Sequence, residues 1–200
     1  MISYLVYGGI LASFWIVAGV LFAAKRYPNY DHNKQFLSEL GAKNSPTERF
    51  SPRINNYPLG TLFCMSGFGV MLLPDNNIWL VFAGAMIVVH GIGTWLAGYF
   101  PMDSDAYTTA PSREGKIHYL AGTVMMISLL CAPITVIFSP TSEKITLIFQ
   151  VFSGLLLFFT CFFTYKLAKA YERKLNPGLY QRISYGFQLV WLSAFSFILI

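Results

Sequence analysis

The stretch YPNYDHNKQFLSELGAKNSPTERFSPRINNY, residues 27–57, is the longest polar interruption in a strongly apolar chain. Together with Lys25 and Arg26 just before it, this stretch carries six of the fourteen Lys and Arg residues. Candidate helix caps and turn residues alternate in it with apolar side chains that can anchor it at a bilayer surface. The pattern favours an ordered cap on a membrane bundle over a solvated connector, which is the alternative.

A short interfacial helix is predicted inside the cap. Asp31 can accept hydrogen bonds from the free amides of a helix that begins at His32. Gly41 is expected to end this helix in the left-handed conformation. Three apolar side chains between these points fall on one face of the helix: Phe36, Leu37 and Leu40.

A second helix start is predicted a few residues later. Residues 45–48 read S-P-T-E, which fits a capping box with proline at the first helical position. Ser51 and Pro52 repeat the start of this pattern. The cap is therefore expected to consist of short helices joined by turns.

The composition indicates an integral membrane protein. Hydrophobic residues make up 55% of the chain and charged residues 12%, with a mean hydropathy of +0.52, whereas about a quarter of the residues in soluble domains are charged. Six segments approach the roughly 20 apolar residues that cross a bilayer. They are residues 2–24, 58–74, 78–102, 119–140, 145–165 and 183–200.

These segments predict an all-α fold, a six-transmembrane-helix bundle in one domain over residues 1–200. The first segment lacks a small-residue cleavage site and is interpreted as a true span. Leu73 and Pro74, followed by Asp75-Asn76-Asn77, predict a tight hairpin that makes the second and third spans antiparallel neighbours.

The basic residues predict the orientation. The three connections at residues 25–57, 103–118 and 166–182 hold six, two and five Lys or Arg, whereas the opposite face holds only Lys144. The positive-inside rule then places the three larger connections in the cytoplasm and both termini outside, in the cell (inner) membrane. The net charge of +5 follows from this asymmetry and favours contact with anionic lipid headgroups, not with nucleic acid.

The basic side chains of the cap are the candidate headgroup-binding residues. They are Lys34, Lys43, Arg49 and Arg53.

The third predicted span carries the most informative polar side chains. His90 and Thr94 lie on a narrow face of small and polar residues that should point into the bundle. A neutral histidine, hydrogen-bonded to another helix, is favoured over a proton relay, because no acidic residue accompanies it inside any span. Gln150 and Gln188 are the other candidate buried polar residues.

Four polar elements are expected to meet on the cytoplasmic side of the bundle. They are Asp31 with His32, Ser38 with Glu39, Asp103 with Asp105, and His118. The candidate catalytic residues are Ser38, Glu39, Asp103 and His118, and the weak candidates for a metal site are Asp31, His32, Glu39, Asp103 and His118.

The spacing of these residues matches no known catalytic or metal motif, so neither a metal nor a cofactor is expected. In the structural alternative, Asp103 accepts a hydrogen bond from His118. Glu39 then bonds a backbone amide or Lys43, and the cluster only holds the cap on the bundle.

Three stretches together resemble a known family. YDHNKQFLSELGA (30–42), AGYFPMD (97–103) and GKIHYLAG (115–122) are similar to the marks of the prokaryotic membrane family filed as domain of unknown function 998. The resemblance covers nearly the whole chain and implies six spans, with the SELG-containing cap after the first.

A more distant resemblance joins LSELGAKNSPTERF (37–50) and the later HYLAG (118–122) to the FRAG, DRAM and Sfk membrane proteins. That group is associated with lipid handling. Glu39 stands where the group has aspartate, and Ala42 lengthens the step to the proline.

Three functional hypotheses follow. The first is a non-enzymatic protein that binds or organises membrane lipid at the cytoplasmic leaflet. The second is a membrane-embedded lipid hydrolase or headgroup transferase, with or without a metal. The third is a small transporter that uses His90 as a proton relay. The sequence leaves open whether the partners include a second copy, as in a homo-oligomer, or other membrane proteins.

Overall fold

A computed structural model describes residues 3–74 and 76–200, and within these ranges the regular secondary structure is helical. Asp75 and Ile2, which belong to the predicted hairpin and first span, lie outside the described residues. Seven α-helices and one 3-10 helix, Leu37–Gly41, are formed. The α-helices are α1 (Ser3–Ala24), α2 (Phe50–Ile54), α3 (Asn56–Met71), α4 (Ile78–Tyr99), α5 (Arg113–Ile137), α6 (Leu147–Arg173) and α7 (Pro177–Leu199).

The described residues include five helices that are long and apolar enough to cross a membrane: α1 from Tyr4 onward, α4, α5, α6 and α7. The chain is therefore a multi-pass membrane protein. The helix α3, with 16 residues, is shorter than the roughly 20 residues that span a bilayer.

Six helices, α1 and α3 to α7, form a ring. Going round it, α1 packs on α3, α3 on α4, α4 on α5, α5 on α6, α6 on α7, and α7 returns to α1. The predicted antiparallel pairing of α3 with α4 is present, since Gly67 packs on Gly84 and Gly60 on Gly91. The contact between α5 and α6 is the least extensive in this ring.

The half of the ring remote from the cap segment is filled with large side chains. Trp191 and Phe195 of α7 are buried and stack with ring centroids 4.9 Å apart. The indole Nε1 of Trp191 donates to the Ser153 hydroxyl at 2.9 Å, so its polar edge is satisfied inside the bundle. These aromatic layers anchor α6 and α7 together.

The cap segment is folded, but not as the sequence predicts. The Asp31 carboxylate accepts from the amides of Asn33 and Lys34, at 2.9 and 3.3 Å, as a helix cap would. The helix from His32 is nevertheless not formed, because the chain makes a single turn there and the 3-10 helix begins only at Leu37. Gly41 is not left-handed. The chain leaves the 3-10 helix in extended form.

The S-P-T-E box does not start a helix either. The Glu48 carboxylate accepts from the amide of Asn44 at 2.8 Å, not from that of Ser45. The Thr47 hydroxyl donates to the carbonyl of Leu40 at 2.6 Å. These side-chain bonds hold residues 45–49 in turns, and α2 begins at Phe50.

The join between α2 and α3 packs against α1. The indole Nε1 of Trp15, midway along α1, donates to the carbonyl of Ile54 at 2.7 Å. Asn55 separates the two helices and is buried against Gly19 of α1. The helix α3 is short because α2 and its neighbours reach into the bundle before α3 begins.

The close approach of α3 and α4 depends on two glycines. A Cβ at Gly67 would lie 2.5 Å from the Gly84 carbonyl oxygen, whereas a Cβ at Gly186 of α7 would meet no atom within 4 Å.

Gly67→Ala should therefore force the helices apart and cost about 1–3 kcal/mol. Gly186→Ala is the matched control and should leave the melting temperature unchanged or higher, because alanine is the better helix former. Thermal unfolding of both variants in detergent measures the difference. Equal melting temperatures would contradict this helix packing.

Candidate functional site

A cavity of about 580 Å³ occupies the half of the ring nearest the cap. The cap, α1 and the cap-side parts of α3, α4, α5, α6 and α7 form its lining. Ligand pockets in proteins usually measure about 300–1,000 Å³. The volume is therefore large enough for a small molecule or part of a lipid.

The mouth of the cavity lies between α5 and α6. Only two helices supply the exposed members of its described lining: Tyr119, Gly122 and Thr123 on α5, and Ala168 and Tyr171 on α6. A Cβ at Gly122 would meet no atom within 4 Å. The opening thus faces sideways, on helix surfaces that a membrane would cover.

An aromatic cluster closes the mouth on the cap side. The rings of Tyr107 and Tyr171 stack with centroids 4.9 Å apart, and Phe36 of the cap lies 6.0 Å from Tyr171. The Tyr171 hydroxyl donates to the carbonyl of Ala106 at 3.2 Å. The cavity is therefore shut toward the cap surface at this point and open below it.

The cap residues 35–41 cover the cavity and are called its roof here. Hydrogen bonds to the start of α7 hold this roof in place. The amide of Leu37 donates to the Gln181 side-chain oxygen at 2.8 Å. Arg182 donates to the carbonyl of Gln35 at 2.8 Å and to the hydroxyl of Tyr30 at 2.7 Å. Burial raises the pKa of Tyr30 to about 12, although Arg182 opposes the shift, so this hydroxyl stays neutral.

His90 joins three helices in the wall of the cavity. Its Nδ1 lies 3.0 Å from the Met125 carbonyl of α5, and its Nε2 lies 2.9 Å from the Tyr185 hydroxyl of α7. Because a carbonyl only accepts, Nδ1 carries the proton and Tyr185 donates to Nε2. The Thr94 hydroxyl donates to the His90 carbonyl at 2.8 Å. These contacts place His90 between helices, as the sequence predicts, and its neutrality stays a prediction.

The predicted pair of Asp103 with His118 is wrong. The Nδ1 of His118 lies 3.0 Å from the carbonyl oxygen of Ala97 and 2.8 Å from that of Phe100. Residue 101 is proline, which has no N–H to continue the helix bond to Ala97. The imidazole N–H of His118 takes that place at the end of α4.

Asp103 instead organises the start of α5. Its Oδ2 accepts from the Ser112 amide at 3.0 Å. Ser112 lowers the pKa of Asp103 through its side chain and then through its backbone amide, with burial acting in the opposite direction. The Ser112 hydroxyl caps α5 at the Gly115 amide.

Glu39 serves the cap backbone. Its Oε1 accepts from the Phe36 amide at 2.8 Å and its Oε2 from the Gln35 side chain at 3.2 Å. Lys43, its other predicted partner, pairs with Glu114 at 3.2 Å. Of the four catalytic candidates, Ser38 and His118 line the cavity, whereas the carboxylates of Glu39 and Asp103 do not.

The weak metal candidates are not assembled. Throughout residues 3–74 and 76–200, no three His, Cys, Asp or Glu side chains lie close enough to hold a metal ion. The Oδ2 of Asp31 is 3.6 Å from the Nζ of Lys34. The ring of His32 packs edge-on against that of Tyr30, with centroids 5.1 Å apart. Both residues belong to the outer surface of the cap.

The basic candidates of the cap fall into two groups. Lys34 and Lys43 are paired with Asp31 and Glu114. Arg49 and Arg53 are exposed, and neither forms a hydrogen bond or an ion pair within the described part of the chain.

The two glutamine candidates lie at opposite ends of the bundle interior. Gln150 donates to the Ser139 carbonyl at 2.6 Å, away from the cap. Gln188 is only 5% exposed and lines the cavity, yet its amide bonds none of the described residues.

The sequence analysis missed part of the face that α7 turns to the cavity. Gln181, Ser184, Tyr185 and Gln188 line it together. Their spacing of i, i+3, i+4 and i+7 places them on one face of the helix, and this spacing is the signal that identifies them.

The roof should loosen when Arg182 is replaced. Arg182→Met leaves the Gln35 carbonyl without its partner, which should cost about 1–3 kcal/mol. Arg173→Met is the matched control, since Arg173 is exposed and bonds none of the described side chains. Melting temperature, and thiol labelling of a cysteine placed at Ser38, should change only for the Arg182 variant. Equal changes in both variants would contradict the proposed support of the roof.

Comparison with known proteins supports the resemblance seen in the sequence. No curated protein and no solved structure matches the chain. A family model with the description "Protein of unknown function (DUF998)" matches residues 10–198, nearly the whole chain. The chain therefore belongs to the DUF998 family of proteins of unknown function.

Proposed function

We propose that this protein is a six-span membrane protein that binds a membrane lipid in the cavity beneath its cap. The lipid enters sideways between α5 and α6. One observation carries the proposal: the exposed members of the cavity lining lie on α5 and α6 alone. A ligand that is already in the bilayer has the most direct access to such an opening.

The walls of the cavity suit an acyl chain. Apolar side chains such as Leu59, Met126 and Leu167 line it beside the polar groups. Met126 is unbranched and adapts to ligands of irregular shape. The aromatic cluster of Phe36, Tyr107 and Tyr171 separates this interior from the outer surface of the cap, so the lipid phase is the favoured source of the ligand.

The proposed sixth span is α3. At 1.5 Å per residue its 16 residues cover about 24 Å, slightly less than the roughly 30 Å of a bilayer core. Its two ends lie beside Gly19 and Val6 of α1, so it runs along most of that spanning helix. The adjoining α2 supplies the missing length on the cap side.

The charges support a cytoplasmic cap. Thirteen of the fourteen Lys and Arg residues lie on the cap side, in the connections or in the helix ends next to them, and Lys144 lies in a connection on the other side. The positive-inside rule then places the cap in the cytoplasm and both termini outside. In this arrangement Arg49 and Arg53 are free to contact anionic headgroups of the cytoplasmic leaflet.

The hydrolase hypothesis has less support. Ser38 and His118 both line the cavity, but they form no hydrogen bond with each other. The carboxylates that would complete an acid-base or metal set, Glu39 and Asp103, bond the backbone outside the lining. Lipid binding without catalysis is therefore the function that we favour.

Blocking the mouth should abolish lipid binding. Gly122→Trp places an indole in the opening, whereas Gly186→Trp places the same group at an open position outside the cavity lining. Native mass spectrometry of the proteins released from mild detergent should show retained lipid for wild type and Gly186→Trp only. Retention by Gly122→Trp at the wild-type level would contradict entry between α5 and α6.

The topology has its own test. A cysteine at Glu143, which is exposed between α5 and α6 on the side away from the cap, should react with an impermeant thiol reagent in intact cells. A cysteine at Ser104, exposed on the cap side, should react only after the membrane is opened. The reverse pattern would overturn the orientation.

A further inference from the structure

The cavity contains no formal charge. Among the described residues that line it there is no Lys, Arg, Asp or Glu. Two basic groups on the cap side are engaged elsewhere: Arg182 of α7 with Gln35 and Tyr30, and Lys43 of the cap with Glu114. Arg49 and Arg53 are exposed and do not line the cavity.

This absence disfavours a charged headgroup inside the cavity. A phosphate moved from water into an apolar site without a counterion loses most of its solvation, and the loss is severe unless the charge is paired. The basic residues of the cap can hold anionic lipids at its surface, but they do not extend that compensation into the bundle. The ligand of the cavity should therefore be uncharged.

Two buried side chains offer unused hydrogen-bonding capacity to such a ligand. His118 is 7% exposed, and with Nδ1–H committed to the Ala97 and Phe100 carbonyls its Nε2 is an acceptor with no partner in the described chain. Gln188 is 5% exposed and its amide is unbonded. The unbonded atoms of both side chains are accessible from the cavity and not fully buried, so a ligand in the cavity can reach and bond them.

The two groups differ in depth. His118 lies near the start of α5, close to the cap, whereas Gln188 lies along α7 one turn beyond Ser184, farther from the cap. Asn55 also lines the cavity, and its Oδ1 has no partner among the described residues. Other polar groups of the wall are bonded within the protein. Examples are the His90–Tyr185 pair and the Thr164 hydroxyl, which lies 2.7 Å from that of Ser184.

We infer that the ligand is an uncharged acylglycerol, a lipid with at least one free hydroxyl and one ester carbonyl. The hydroxyl donates to the Nε2 of His118 beneath the roof, and the amide of Gln188 donates to an ester carbonyl deeper in the cavity. The acyl chain leaves between α5 and α6. This inference rests on the proposed function and specifies the chemical class of its lipid.

The test uses the full-length protein in phosphatidylcholine nanodiscs at pH 8. Three photoactivatable lipids with identical diazirine-bearing chains are compared: diacylglycerol, the same diacylglycerol with its hydroxyl acetylated, and phosphatidic acid. Labelled residues are mapped by mass spectrometry of peptides covering 119–126 and 164–171.

Diacylglycerol should label these peptides about tenfold more than phosphatidic acid, because only the latter brings an unpaired charge into the cavity. The acetylated form should label them about 2- to 12-fold less than diacylglycerol, the range of one hydrogen bond. Equal or stronger labelling by phosphatidic acid would overturn the inference and leave the proposed function standing. Labelling by all three lipids confined to residues outside the lining would overturn both.

Two variants separate recognition from folding. His118→Asn can keep an N–H near the Ala97 carbonyl, but it removes Nε2. This variant should therefore label equally with diacylglycerol and with its acetylated form. Gln188→Leu should weaken labelling by both glycerides without lowering the melting temperature, since Gln188 bonds nothing in the described protein. An unchanged hydroxyl preference in His118→Asn would contradict the role of Nε2.

Discussion

The hydrogen bonds between the cap and the first two turns of α7 fix the roof on which the cavity depends. Irregular backbone that is shielded from water needs partners for its polar groups. Gln181 and Arg182 supply partners to the Leu37 amide and the Gln35 carbonyl, and the Asn33 carbonyl accepts from the amide of Leu179 at 2.8 Å. A segment of turns can therefore cover an apolar interior at small cost in unpaired groups.

Beneath this roof the ring of helices is divided by side-chain size. Trp191 and Phe195 fill the half away from the cap, whereas Gly122 and Ala168 leave the cap-side half open between α5 and α6. One half supplies stability through close packing. The other half keeps a space that a lipid can enter. The limited contact of α5 with α6 follows from the small side chains on this side of the ring.

Apolar runs and helix signals predicted most of the fold. His90 was correctly placed between helices because a histidine inside a span requires neutral partners. Tertiary contacts decided the rest. The cap forms turns because side chains such as Thr47 bond its own backbone. His118 does not bond Asp103, because its N–H bonds the Ala97 carbonyl that Pro101 leaves without a partner. The cavity could not be predicted from the sequence, because it depends on the spacing between helices that are distant along the chain.

The most direct test of the account is an experimental density map of the protein in nanodiscs made from its native membrane lipids. We expect elongated density that runs from the Nε2 of His118 past Gln188 or out between Thr123 and Ala168, with no strong density of a phosphate group inside the cavity. Isolated water peaks in the cavity, with α5 and α6 in contact along the line of the mouth, would contradict the central claim that this space holds a lipid.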